Sequence, residues 1–97
     1  VSEEELKRVV YAVRQDIRSG VVVLGTQHDG RLRFVAGVTA DLTQRVRAGD
    51  LIKAVAGQAG GGGGGRADFA TGGGTQTDRL QGALQHAYTV LEQALSR

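Results

Sequence analysis

The chain has 97 residues, of which 40% are hydrophobic, so it is long enough for one small domain with a modest core. It contains no cysteine, which excludes disulfides and thiolate-bound metals, and no apolar run long enough to cross a membrane. The net charge of +2 excludes a strongly basic tail, and two Tyr, two Phe and no Trp leave little aromatic surface for stacking on bases.

The start of the chain gives two further expectations. No residue is Met, so we expect the chain to be a piece of a longer protein, with residues 1–97 forming one domain. The glutamates Glu3, Glu4 and Glu5 are unlike the basic start of a secretory signal. With the absence of cysteine, this predicts a cytoplasmic protein that has no membrane partner.

The first half of the chain predicts a helix followed by two strands. Ser2 and Glu5 form a capping box for a helix from Ser2 to Ser19, whose apolar face is Leu6, Val9, Val10, Val13 and Ile17. The β-branched run at 21–24 is typical of a strand that is buried on both faces. After a turn at 28–30, alternating apolar residues predict a second, antiparallel strand.

The second half predicts two helical segments that enclose one more strand. Thr39 to Ala59 has helical spacing, and Gly49 is expected to kink or split it. A short strand is predicted near 68–71, and the last helix runs from Thr75 to Arg97 with an apolar stripe at Leu80, Leu84, Tyr88, Leu91 and Leu95. The order α-β-β-α-β-α predicts a small single α/β domain, with a short mixed sheet packed by helices and a glycine-rich loop before the third strand.

The glycine-rich segment is the most distinctive feature of the sequence. Nine of the fifteen residues from Gly60 to Gly74 are glycine, yet Arg66, Asp68 and Phe69 occupy the centre, where a flexible linker does not need them. We predict an ordered loop along which a ligand backbone lies close, with Arg66 as a phosphate partner. The alternative is that Arg66 pairs with Asp68 and holds only the shape of the loop.

The cations and histidines favour binding over catalysis. Between residues 31 and 79, seven Arg and Lys face four Asp, which predicts a positive face if these segments meet in the fold. The alternative is an ordinary solvated surface. His28 and His86 are single histidines without the spacing of metal ligands. The glycine-rich segment lacks the Gly-Lys-Ser/Thr of a nucleotide P-loop. The sequence therefore predicts no catalytic residue and no metal site.

Two segments resemble a known family. Residues 35–52 (VAGVTADLTQRVRAGDLI) and 60–73 (GGGGGGRADFATGG) resemble the signature of the C-terminal domain of alanyl-tRNA synthetase. This domain is also called the Asp-His-His-associated domain, because it follows the catalytic domain of certain phosphoesterases. Members usually carry Pro and Met where Ala67 and Phe69 stand, and the loss of Pro loosens φ at residue 67. The phosphoesterase versions tend to carry a His in or after the glycine motif, so its absence here favours the synthetase.

The resemblance implies a tRNA-binding domain without catalytic activity or a cofactor of its own. The parent enzyme would attach alanine to tRNA-Ala with ATP and Mg, and would edit mischarged tRNA in a separate zinc-holding domain. The implied partners are the outer corner of tRNA-Ala, the aminoacylation and editing domains of the same chain, and a second copy that binds through adjoining helices.

The resemblance also implies the residues of the site. The nucleic-acid-binding residues are Gly61, Gly62, Gly63, Gly64, Gly65 and Arg66, with Arg45, Arg47 and Lys53 as secondary candidates. Asp68 is expected to orient Arg66 or to accept N–H groups of the loop. Two alternatives stay open: a nucleic-acid- or nucleotide-binding domain of an Asp-His-His phosphoesterase, and a structural or dimerisation module without RNA contact. If the domain is a structural or dimerisation module, its glycine loop should tolerate bulky substitutions.

Overall fold

The computed structural model describes residues 3–95, which form three α-helices and four strands. The elements in chain order are α1 (Glu3–Asp16), β1 (Val21–His28), β2 (Arg31–Val38), α2 (Ala48–Gly57), β3 (Gly62–Gly65), β4 (Phe69–Gly74) and α3 (Leu80–Leu95). Short 3-10 turns at Ala40–Leu42 and Thr77–Arg79 precede α2 and α3. The predicted Ser2 cap and the last two residues of the predicted C-terminal helix lie outside the described residues.

The α/β class and the predicted succession of elements are confirmed, with one strand more than expected. The sheet has the order β1-β2-β4-β3, and each neighbouring pair is antiparallel, so the predicted mixed sheet is corrected to an antiparallel one. The predicted glycine-rich loop is in fact the edge strand β3, in which Gly62 lies opposite Gly73 and Gly65 opposite Ala70. The glycines are ordered by backbone pairing, which needs no side chains.

The turn between β1 and β2 follows directly from its sequence. Asp29 and Gly30 have φ angles of 52° and 73°, the left-handed pair that a two-residue type I′ hairpin turn requires. Asp and Gly are among the residues that adopt this conformation most readily. The turn therefore sets the register of the hairpin, in which Val21 pairs with Val38 and His28 with Arg31.

The sheet separates two cores. Leu32, Phe34, Ala36 and Val38 point from β2 into the main core under α2 and α3, as their alternation predicts. Val35 points to the other face, where Leu6 and Val10 of α1 bury it in a smaller core. Val22 and Leu24 of β1 pack there as well, whereas Val21 and Val23 pack against the main core. Both faces of β1 are thus apolar as predicted, although its position at the sheet edge leaves it half-buried.

Three predictions about the helices are corrected. Val9 and Val13 of the predicted apolar face of α1 are 48% and 38% exposed, because the helix turns Leu6 and Val10 toward the sheet. Tyr88, predicted to be core, is 75% exposed, since Ala83 and Ala87 form the buried side of α3. The predicted helix over 39–59 is broken at 43–47 rather than at Gly49. Among the described residues, no helix is long and apolar enough to span a membrane.

Candidate nucleic-acid interface

The turn between β3 and β4 is anchored on the first residues of α2. The N–H of Arg66 donates to the carbonyl of Phe69 at 2.9 Å, which closes the turn. The first two N–H groups of α2, from Ala48 and Gly49, donate to the carbonyls of Ala67 at 2.8 Å and Arg66 at 3.1 Å. These bonds satisfy donors that a helix leaves free at its N-terminus. The beginning of α2 and the turn are therefore held together as one unit.

Gly49 allows this close contact and does not kink the helix. A Cβ at this position would lie 3.0 Å from the carbonyl oxygen of Gly65 and 3.3 Å from its nitrogen. A side chain at residue 49 would therefore fit only if α2 or the end of β3 shifted by a few tenths of an ångström. The glycine lies in the first helical turn, where few intrahelical hydrogen bonds depend on it.

A positively charged cleft of about 340 Å³ opens where α2 meets the turn. Its lining consists of Arg47, Gly49, Asp50, Lys53, Gly65 and Arg66. Three cations thus face one carboxylate. The side chains of Arg47 and Lys53 are exposed and make no hydrogen bond or ion pair with other residues of the range 3–95. Exposed cations that converge on a shallow cleft are suited to bind an anion such as phosphate.

The cleft includes only part of the predicted site. Arg47, Lys53, Gly65 and Arg66 line it together. Arg45 lies elsewhere: it is exposed, and its Nη1 is 3.5 Å from the carbonyl oxygen of Leu95 at the end of α3. Arg47 adopts an extended conformation just before α2 begins, and its side chain lines the cleft.

The glycines of the run differ in the room around them. A Cβ at Gly61 would lie 1.8 Å from the carbonyl oxygen of Gly73, and one at Gly63 would lie 2.4 Å from the Cα of Gly72. A Cβ at Gly62 would meet no atom within 4 Å, and one at Gly64 would meet only Lys53, at 3.6 Å. Substitution at Gly61 or Gly63 therefore tests the hairpin itself. Substitution at Gly62 or Gly64 tests whether a ligand approaches β3.

Asp68 joins two arginines. Its Oδ1 lies 3.4 Å from Nε of Arg66, as the pairing alternative proposed, and its Oδ2 accepts a hydrogen bond from Nη1 of Arg14 at 2.9 Å. The hydrogen bond from Arg14 lowers the pKa of Asp68 most strongly; partial burial opposes it, and the charge of Arg66 lowers the pKa further.

Sequence reasoning missed Arg14, which α1 contributes to this network from 54 residues away in the chain. The available signal was its spacing, because Arg14 follows the buried Val10 by four residues and therefore shares its side of the helix. A cation on the buried side of a helix predicts a carboxylate partner.

The lowered pKa of Asp68 predicts that its contribution to stability depends on pH. Since the folded-state pKa lies below the ordinary value of 3.8, the stabilisation is complete above that value and is lost as the pH falls below it. Replacing Asp68 with Asn should therefore lower the free energy of unfolding more at about pH 6 than at about pH 2.5. Urea unfolding of both proteins at the two pH values measures this, and an equal difference at both would contradict it. The pKa of Asp41 is also lowered, by hydrogen bonds from the hydroxyls of Ser19 and Thr39. Because both proteins contain Asp41, its effect on stability cancels in the comparison.

Comparison with known proteins places the chain in a family. The model of the DHHA1 domain matches residues 1–93. The alanine–tRNA ligase of Nitrosospira multiformis is 47% identical over 90 residues, which are 93% of this chain and 10% of the ligase. The alanine–tRNA ligase of Halalkalibacterium halodurans is 49% identical over 84 residues, 86% of this chain and 10% of the ligase. The chain thus spans about a tenth of the length of these curated relatives.

A solved structure extends the similarity to three dimensions. The crystal structure of the C-Ala domain from Aquifex aeolicus alanyl-tRNA synthetase superposes with a TM-score of 0.88 at 34% sequence identity. The match covers 94% of this chain and 82% of that domain. Sequence and structure therefore agree with the predicted resemblance, and the chain belongs to the DHHA1 domain family, as a domain of the C-Ala type found in alanyl-tRNA synthetases.

Proposed function

We propose that this chain is the tRNA-binding domain of an alanine–tRNA ligase, and that it contacts the phosphate backbone of tRNA with the cleft between α2 and the β3–β4 turn. The observation that carries the proposal is the convergence of Arg47, Lys53 and Arg66 on this cleft. Two of these side chains have no partner among residues 3–95, and Arg66 is 75% exposed. Such cations neutralise phosphates and release counterions, which gives binding that depends on salt and little on sequence.

The chemistry of the site supports binding rather than catalysis. Among the described residues, no three His, Asp or Glu side chains form a group that would hold a metal ion. The side chains that line the cleft are two arginines, one lysine and one aspartate, which suit an anion but include no nucleophile paired with a base. We therefore assign the domain the task of holding tRNA, while other domains of the parent chain carry out the chemistry.

The wider role rests on the similarity to alanine–tRNA ligases. In this proposal the parent enzyme attaches alanine to tRNA-Ala with ATP and Mg, and edits mischarged tRNA in a separate domain that holds zinc. The domain described here binds the outer corner of tRNA-Ala and thereby serves both centres. A homodimer formed through adjoining helices belongs to the same proposal. The phosphoesterase alternative receives no support from the relatives described above, which are alanine–tRNA ligases.

The proposal is tested by a matched pair of variants, Arg66→Ala and Arg45→Ala. Each removes one exposed cation, but only Arg66 lines the cleft. Arg66→Ala should weaken tRNA binding about tenfold through the loss of a charge-assisted contact, whereas Arg45→Ala should weaken it less than about twofold. Fluorescence anisotropy with labelled tRNA-Ala at low salt measures both. Equal losses would mean that only total charge matters, and the assignment to this cleft would then fail.

A further inference from the structure

The environment of Arg14 is unusual for an arginine. Its side chain is only 14% exposed, so the charge needs partners to offset its desolvation. Within residues 3–95 it has three: Oδ2 of Asp68 at 2.9 Å, the backbone carbonyl oxygen of Asp68 at 3.4 Å, and the ring of Tyr11, whose centroid is 5.1 Å from Cζ. Both hydrogen bonds go to the same residue, so the largely buried guanidinium holds Asp68.

Asp68 in turn contacts Arg66 with its other oxygen. The contact of 3.4 Å is made to Nε of Arg66, which leaves the four terminal N–H groups of that guanidinium available to a ligand. A long, 75% exposed arginine would otherwise sample many rotamers. The pairing at Nε therefore limits Arg66 to orientations at the mouth of the cleft.

The charges of the three residues explain why two arginines are needed. If Asp68 paired with Arg66 alone, its negative charge would cancel the positive charge that a phosphate recognises. With Arg14 on the other oxygen, the group of three keeps one net positive charge, which is located at the exposed end. We propose that Arg14 is a positioning residue of the RNA site: it holds and neutralises Asp68, so that Asp68 orients Arg66 without cancelling its charge. This inference rests on the proposed function.

The arrangement also allows Arg14 to be altered without loss of the turn. The N–H of Val38 donates to the carbonyl oxygen of Asp68 at 2.9 Å, and the N–H of Ala48 donates to that of Ala67 at 2.8 Å. These backbone bonds fix residues 67 and 68 independently of Arg14. We therefore expect Arg14→Gln to fold with the same β3–β4 hairpin.

The test is a double-mutant cycle on tRNA binding with Arg14→Gln and Arg66→Ala. Arg14→Gln should weaken binding about fivefold when Arg66 is present and less than about twofold when residue 66 is Ala, because it acts through Arg66. Arg18→Gln removes the same charge from the following turn of the chain, where the side chain is exposed, and should change affinity less than about twofold. Equal losses from Arg14→Gln in both backgrounds, or no loss in a folded protein, would overturn the inference.

A second readout does not depend on RNA. NMR relaxation of the Nε–H of Arg66 should show a side chain that is ordered by its contact with Asp68 in the unmodified chain and loses that order in Arg14→Gln and Asp68→Asn. If the unmodified chain does not bind tRNA, the proposed function fails, but loss of order in Arg14→Gln would still support the positioning by Arg14. Order that is unchanged in Arg14→Gln would overturn the inference whatever the binding data show.

Discussion

Replacing Gly63 with Ala should lower the free energy of unfolding by about 2–4 kcal/mol. A Cβ at this position would lie 2.4 Å from the Cα of Gly72, 2.5 Å from the carbonyl oxygen of Thr71 and 2.9 Å from Cγ2 of Ile52. Two of these atoms belong to the backbone of β4, so the clash cannot be relieved by a change of rotamer. Either the β3–β4 ladder opens or α2 moves away from the sheet.

Gly62→Ala is the matched control for this change. The two glycines are adjacent in β3 and pair with adjacent residues of β4, but a Cβ at Gly62 meets no atom within 4 Å. Gly62→Ala should change the free energy of unfolding by less than about 1 kcal/mol. The added Cβ meets no atom, and Ala restricts the unfolded chain more than Gly does, which favours folding. Urea unfolding followed by circular dichroism gives both values. Similar losses at the two positions would show that β3 does not pack on β4 and α2 as described.

Replacing Arg47, Lys53 and Arg66 together with Ala should weaken tRNA binding by about 100-fold or more at low salt. The three side chains are exposed and line one cleft, so their removal takes away most of its positive charge and little of the core. We therefore expect the melting temperature to change little while the affinity for tRNA falls strongly. Anisotropy titrations with tRNA-Ala, together with a melting curve of the same protein, measure the two effects.

A charge-matched triple variant separates the cleft from net charge. Arg8, Arg18 and Arg31 are exposed cations that do not line the cleft, and replacing them with Ala lowers the formal net charge from +2 to −1, as the cleft variant does. This control should lose less than about tenfold in affinity, through long-range electrostatics alone. If both triple variants bound tRNA equally poorly, binding would depend on overall charge and not on this site.

Much of the fold could be predicted because the local signals agree with the tertiary structure. The alternation in β2, the Asp29–Gly30 turn and the helical spacing over 51–56 each point to the element that forms. Strand β3 could not be predicted in this way, since glycine has low β-propensity and carries no pattern of burial. Its pairing is determined by β4 and by the close approach of α2, and a run of glycines has no side-chain pattern that would indicate these contacts.

The site was harder to predict than the fold for a related reason. The sequence offered several basic residues in the middle of the chain and no way to tell which of them share a surface. Arg45 and Arg47 are two residues apart, yet only Arg47 lines the cleft, together with Lys53 of α2, whereas Arg45 lies near the end of α3. The role of Arg14 depends on Asp68, its partner 54 residues away, and such a contact leaves only a weak trace in local spacing.

The most direct test of the central claim is the salt dependence of tRNA binding, measured from about 50 to 200 mM for the unmodified chain and for the cleft triple variant. tRNA-Ala and a noncognate tRNA serve as ligands. We predict that affinity for both RNAs falls steeply with salt, and that the slope of log K against log salt decreases by about 2–3 in the variant, close to one for each lost phosphate contact. Binding whose slope is the same in the two proteins, or no binding by the unmodified chain even at low salt, would contradict the assignment of this cleft to RNA.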